Sequence, residues 1–312
     1  MVQEMRRRIS ETHEVITLAA RDLGDGCPEP HQSSSAPSLS NAPLAEVDRP
    51  VAAHRPHKTP FRTPSTARVI LVGVRGERRH WDDIAATWVE WTSTPGQDPF
   101  GDEVNLPSLV GLVPDTAGLV LDVGCGEGRV ARLLAARGHT VVGIDGSPNL
   151  ARQALSRGLG VGVADGAALP VRDESVDLVV SCMVLMDVPD LAGHVAELSR
   201  VLRPGGILVC AILHPVCVAG FPMGDEFSTF ALGDYLAEEP LEWTSTRNDR
   251  SINYRYWRRP VSTYLTALGS AGLNVVEACE PAPTEEMVSR LPEASTWSRV
   301  PLFLHLRATK AS

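Results

Sequence analysis

Between Val120 and Leu134 the chain reads VLDVGCGEGRVARLL, with Gly124, Gly126 and Gly128 alternating between an apolar run and a helix-like one. A turn of residues without Cβ lets backbone approach a ligand, and a helix starting there offers free N–H groups and its positive dipole end. Asp145 lies 21 positions after Gly124, at the end of VVGID, where a carboxylate accepts hydrogen bonds from ribose hydroxyls. Several nucleotide-using folds share these features. Two details separate them. The spacing is G-x-G-x-G, not the G-x-G-x-x-G of dinucleotide binders. Asp122 sits inside the strand just before the glycines, where its charge repels a pyrophosphate and suits a cationic ligand, unless it instead holds the glycine loop by accepting backbone N–H bonds.

An adenosine compound without phosphate and with a sulfonium and an ammonium group, S-adenosylmethionine, fits these residues, and a nicotinamide cofactor is the weaker alternative. In this order the chain carries VLDVGCGEGRVARLLAARGHTVVGIDGSPNLARQA, VADGAALPVRDESVDLVVSCMVLMDVPD and LSRVLRPGGILVCAILHP, over most of residues 117–215. Taken together they resemble the class I S-adenosylmethionine-dependent methyltransferases, in particular the small-molecule group that includes ubiquinone and menaquinone biosynthesis enzymes. The resemblance implies that Gly124, Cys125, Gly126 and Gly128 approach the methionine part of the cofactor. It implies that Asp145, with Gly146 and Ser147, binds the ribose, and that Asp165, Gly166 and Ala167 surround the adenine edge. Cys182 and Met183 are then the floor near the methionine moiety, or plain core. No metal site is expected.

The elements that must hold these residues alternate as strands and helices do in a doubly wound α/β sheet. Strands are expected at 119–125, 140–146, 161–166, 176–184 and 207–213, with helices at 127–137, 148–157 and from Leu191 to Leu202, the last stopped by Pro204 and Gly205. A helix near 261–271 and runs at 273–281 and 301–308 follow, the two runs pairing as a hairpin. The expected whole is a Rossmann-like, seven-stranded sheet with the last strand antiparallel and helices on both faces. Before it, WDDIAATWVEW places Trp81, Ile84, Ala85, Trp88 and Val89 on one face of a lid or packing helix.

Methyl transfer from a sulfonium is an in-line displacement that needs proximity and exclusion of water more than an acid or base. A hydroxyl acceptor would still gain from a base. His214, at the end of a strand in AILHPVC, is the candidate, with a capping role as the other reading. Residues 215–259 hold eight of the 16 aromatic side chains and form a substrate-side insertion that roofs an apolar acceptor or closes a small subdomain. Within it Arg255, Arg258 and Arg259 offer an acidic-acceptor site or a solvated face. Related enzymes often carry a histidine where Arg258 stands, so no histidine role transfers there.

Composition sets the outer limits. Of the formal net charge of -9, residues 1–76 contribute ten basic against eight acidic groups and the remainder 19 against 30, a balance that disfavours nucleic acid as partner. Eight prolines from Cys27 to Pro64, with few large apolar residues, predict a disordered extension over 1–76, or a chain start upstream of the native one. Six cysteines form no C-x-x-C pair and no apolar run reaches the ~18 residues of a membrane span. The domain at 77–312 is therefore expected to be a cytosolic enzyme of small-molecule metabolism that methylates a small acceptor, oxygen slightly ahead of nitrogen or carbon. A non-catalytic module that binds the same cofactor is the alternative.

Overall fold

A computed structural model describes residues 70–71, 77–116, 118–223 and 229–312. The extension expected over residues 1–76 lies outside the described residues except for β1 (Ile70–Leu71). The central sheet contains β2 (Leu119–Val123), β3 (Thr140–Asp145), β4 (Gly160–Val163), β5 (Val176–Cys182), β6 (Leu202–Leu213), β11 (Leu273–Cys279) and β12 (Phe303–Lys310). Their order is β11-β12-β6-β5-β2-β3-β4. Neighbours among β2 to β6 run parallel, whereas β12 is antiparallel to both β6 and β11. The last two strands thus form the expected hairpin, and the final one slots between β11 and β6. At the β11 edge the register shifts between Val275 and Glu277, leaving Val276 as a bulge that is 57% exposed.

Alternation along the strands feeds two apolar layers. On one face Val120, Leu178, Val180 and Val209 pack against Leu106 and Leu109 of α3 (Leu106–Gly111) and Val130 and Leu134 of α4 (Arg129–Ala136). On the other, Leu121, Val179, Leu208 and Ile212 meet Val195 and Leu198 of α6 (Leu191–Val201) and Leu268 of α8 (Val261–Ser270). Leu109, Leu134, Leu198 and Leu268 are at most 1% exposed. Each such burial contributes on the order of 2 kcal/mol. Remaining in the first half is α5 (Pro148–Ser156), which crosses between β3 and β4.

Three local outcomes differ from the sequence expectation. The single helix at 81–91 is two, α1 (Glu77–Asp83) and α2 (Ala85–Ser93), because Ile84 leaves helical geometry at φ -95, ψ 5. Pro204 and Gly205 do not cap α6, since the chain is already extended at Leu202 with ψ 135. Instead residues 203–206 loop out between the pairs Val176 with Leu202 and Leu178 with Ile207, Gly205 turning them at φ +73. The described part of the insertion, for which the sequence predicts no elements, forms strands: β7 (Gly220–Met223) with β8 (Thr229–Leu232), and β9 (Glu239–Arg247) with β10 (Arg250–Arg258). Asn248 and Asp249, at φ 50 and 61, make the two-residue turn of that hairpin, a conformation these side chains tolerate. Short α7 (Pro215–Val218), α9 (Glu285–Arg290) and α10 (Ala294–Trp297) complete the fold, together with a π-turn at Gly101–Asn105.

Candidate functional site

Sequence placed the glycines after β2, and the structure gives all three left-handed backbone, with φ +74 at Gly124, +54 at Gly126 and +81 at Gly128. At Gly124 a Cβ would also lie 2.2 Å from Val184 Cγ2, so the turn closes only without one. The amides of Gly124 and Cys125 both donate to Ile144 O, at 2.7 and 3.1 Å, which ties the loop to β3. Asp145 continues that tie: Oδ2 accepts from Gly126 N at 2.7 Å and Oδ1 from Ser147 N at 2.8 Å. Each oxygen keeps a lone pair for a further donor. Burial raises the Asp145 pKa, and the two amides oppose the rise. Beyond Gly146, Ser147 caps α5 by accepting from Leu150 N at 3.1 Å and donates to Asp82 of α1 at 2.7 Å.

Asp122 lies under the start of α4, 1% exposed, and neither of its carboxylate oxygens has a hydrogen-bond partner. Burial pushes its pKa up to about 7, with the charges of Asp145 and Glu127 acting in the same direction. The first-turn amide of Ala131 favours the charged form without closing a hydrogen bond. Asp122 therefore does not hold the glycine loop, one of the two roles its position allowed. Loop anchoring falls to Glu127, which is 3% exposed and accepts from Trp88 Nε1 at 3.2 Å and Thr92 Oγ1 at 3.4 Å. Arg132 and Arg157 stand 3.8 and 3.9 Å from the same carboxylate. Through these contacts α2 lies directly on the turn, Trp88 Nε1 being 3.8 Å from where a Gly126 Cβ would be.

On the α6 side Asp165 makes a tight turn by accepting from Ala167 N at 3.0 Å. Between them Gly166 packs on His194, whose Cε1 is 2.0 Å from the position of a Gly166 Cβ. His194 is 3% exposed, and burial lowers its pKa to about 4, so it is neutral. At the end of β5, Met183 adopts φ +61, a left-handed conformation that costs a non-glycine residue on the order of 1 kcal/mol. Its neighbour Cys182, pushed up to about 12 by burial, accepts weakly from Asn105 Nδ2 at 3.7 Å. Asn105 Oδ1 is held by His305 Nε2 at 2.9 Å, and His305 Nδ1 by Ser108 Oγ at 3.1 Å. His305 is fully buried and lowered to about 4.

Beside the ends of β5 and β6 the surroundings are apolar and aromatic. Val104, Met287 and Phe303 pack with Phe100, Met183 and Leu213 beside the ends of β5 and β6. Trp81, Trp88 and Tyr254 stack edge to face with centroids 5.4 to 6.4 Å apart, and Trp81 Nε1 donates to Asp187 Oδ2 at 3.0 Å. Nothing in the spacing of Asn105, Glu127, Asp187, His194 or His305 marks them in sequence, because each acts across elements distant along the chain. His214 has both nitrogens engaged. Nδ1 accepts from Val216 N at 3.1 Å as the cap of α7, and Nε2 lies 3.0 Å from Glu280 Oε1. The arginines are engaged too: Arg255 with Glu242 at 2.5 Å and Arg258 with Glu239. Arg259, 4% exposed, donates to the carbonyls of Val188 and Pro189 at 2.7 and 2.9 Å.

The sheet order, the acid–glycine turn and the acid closing β3 define a Rossmann-like domain of the methyltransferase kind. Residues 121–210 match the family described as "Methyltransferase domain". Over 222 residues, 69% of this chain and 70% of the relative, the sequence is 30% identical to a malonyl-[acyl-carrier protein] O-methyltransferase from Methylococcus capsulatus. It is 40% identical over 92 residues to a probable S-adenosylmethionine-dependent methyltransferase from Mycolicibacterium smegmatis, and 36% over 102 to a demethylmenaquinone methyltransferase from Tropheryma whipplei. These two matches span 29% and 31% of this chain but only 36% and 42% of the relatives' own lengths. An S-adenosylmethionine-dependent methyltransferase from Mesorhizobium loti superposes with a TM-score of 0.56 at 26% identity, covering 65% of this chain and 96% of that one. The chain belongs to the S-adenosylmethionine-dependent methyltransferases.

The residues present suit that family's cofactor. An unpartnered, buried acid near the carboxylates of Asp145 and Glu127 suits a cationic ligand, and the left-handed glycine turn leaves its backbone bare of side chains.

Proposed function

We propose that the protein transfers the methyl group of S-adenosylmethionine to an oxygen of a small-molecule acceptor in a cytosolic setting, with no nucleic acid involved. The observation that carries the donor half is the partnerless Asp122 beneath a turn of three left-handed glycines. In this reading the glycine turn, with Cys125, approaches the methionine part. Asp145 uses its remaining lone pairs on the ribose, beside Gly146 and Ser147. Asp165, Gly166 and Ala167 border the adenine, and Cys182 and Met183 form the floor.

When bound, the donor supplies an electrophilic methyl on a cationic sulfur. What the chain contributes is alignment and dryness, the main demands of an in-line displacement. Phe100, Val104 and Leu213 keep water from the ends of β5 and β6, and α2 covers the glycine turn. The Methylococcus relative's description as an O-methyltransferase supports oxygen as the accepting atom. His214 is the one base candidate, and its lone pair already receives the Val216 amide. We therefore assign it the capping role, and the transfer proceeds without a base at that position.

Incubating the full chain with methyl-labelled donor and a metabolite extract tests the reading, since product mass and fragmentation give the acceptor and the atom. Label in an O-methyl product supports it, and label only on nitrogen or carbon overturns the oxygen assignment. Saturable donor binding with no labelled product favours a binding module. His214→Gln should leave turnover within about twofold, and loss of turnover with intact donor binding would restore the base.

A further inference from the structure

Around the glycine turn the negative groups are unbalanced. Asp122 on β2 is faced by Asp145 at the end of β3, by Glu127 and the Cys125 thiol of the turn, and by the Cys182 thiol on β5. From α4 only the Ala131 amide dipole opposes this. The guanidinium groups nearest the turn serve other carboxylates, Arg129 those of Asp98 at 2.7 Å and of Asp102, and Arg132 and Arg157 that of Glu127, so the imbalance falls on Asp122. Glu127 and Asp145 have hydrogen-bond donors, whereas Asp122, buried and with two bare oxygens, has none.

A buried acid without donors or a paired cation keeps its proton, because the charged form is neither solvated nor compensated. A net positive charge brought into the crevice reverses that preference, and only the sulfonium adds one, because the ammonium and carboxylate common to donor and product offset each other. Resting on the donor reading above, we propose that Asp122 makes the site select for charge: the sulfonium donor binds with loss of a proton from Asp122, and the thioether product binds without it. During transfer the C–S bond breaks with its electron pair staying on sulfur, the methyl carbon bonds to the acceptor oxygen, and the proton that oxygen carried leaves to solvent. The positive charge is then gone from the crevice, Asp122 recovers a proton from solvent, and product is held less tightly than donor. Since S-adenosylmethionine and S-adenosylhomocysteine share ribose, adenine, ammonium and carboxylate, comparing them isolates the sulfur charge.

The test is calorimetric titration of the full chain with each compound, in buffers of low and high ionisation enthalpy, near pH 6 and near pH 8. Close to one proton should leave on donor binding near pH 6 and almost none on product binding. The donor Kd should tighten by about tenfold between the two pH values and that of the product by less than about twofold. Asp122→Asn should erase the difference between the ligands. The wild-type heats decide the matter even if that variant fails to fold. Equal proton release for both compounds, or none for either while both bind, overturns the proposal and leaves the donor reading standing. Absence of saturable binding by both compounds overturns the two together.

Discussion

The crevice has two sides that use charge in opposite ways. On the glycine-loop side Asp122, Glu127 and Asp145 are each at most 8% exposed, and one of them has no partner at all. On the β9–β10 side, Arg247, Arg255 and Arg258 meet Glu293, Glu242 and Glu239 one to one, and every member keeps some contact with water. Buried, unbalanced charge destabilises a fold unless something else compensates it, while exposed pairs contribute little either way. The first arrangement leaves a charge to be compensated and the second is already balanced.

Breaking the loop geometry should give the largest effect. Gly124→Ala puts a methyl 2.2 Å from Val184 on a left-handed residue, so calorimetry should find affinity for S-adenosylhomocysteine reduced by at least about 100-fold. Retained affinity would mean that the loop tolerates a side chain and the cradle argument fails.

Asp122→Asn probes the imbalance itself. In the folded, ligand-free protein this acid is raised to about 7, so the stabilisation from its protonated form is complete below the unfolded pKa and is lost as pH rises through the folded value of about 7. The variant should unfold less readily than wild type at about pH 8, by roughly 2 to 4 kcal/mol, and the gap should close by about pH 4. Chemical denaturation at the two pH values measures it.

Trp88→Phe sharpens the comparison from the lid. It removes the indole donor to Glu127 while keeping most of the apolar contact, and should weaken product binding by about tenfold, read by titration. On the other side Arg255→Gln should lower stability by less than about 1 kcal/mol and leave cofactor affinity unchanged, a denaturation midpoint and one titration sufficing to check it.

The contrast also explains what the sequence made legible. Left-handed glycines, an acid ending a strand and a helix starting after a turn are local demands, written at fixed spacing in residues 120–147. The alternating apolar strands likewise announced a doubly wound sheet. By contrast Asn105 reaches Cys182 and His305 across 77 and 200 positions, and Trp81 reaches Asp187 across 106. No periodicity encodes such pairings, which follow only once the sheet has assembled. The RPGG run shows a subtler limit. Its proline and glycine signal a break correctly, yet whether that break ends a helix or kinks the entry to a strand depends on where β5 offers a partner.

The bulge at Val276 bears on how the molecule behaves in a crowded solution. A straight outer strand with free N–H and C=O groups would template another chain, and β11 has a row of exposed residues on its open flank. One extra residue breaks the hydrogen-bonding repeat midway along that flank, so a second copy cannot continue the sheet in register. The same irregularity that looks like a flaw in the ladder makes β11 a poor template for a second strand.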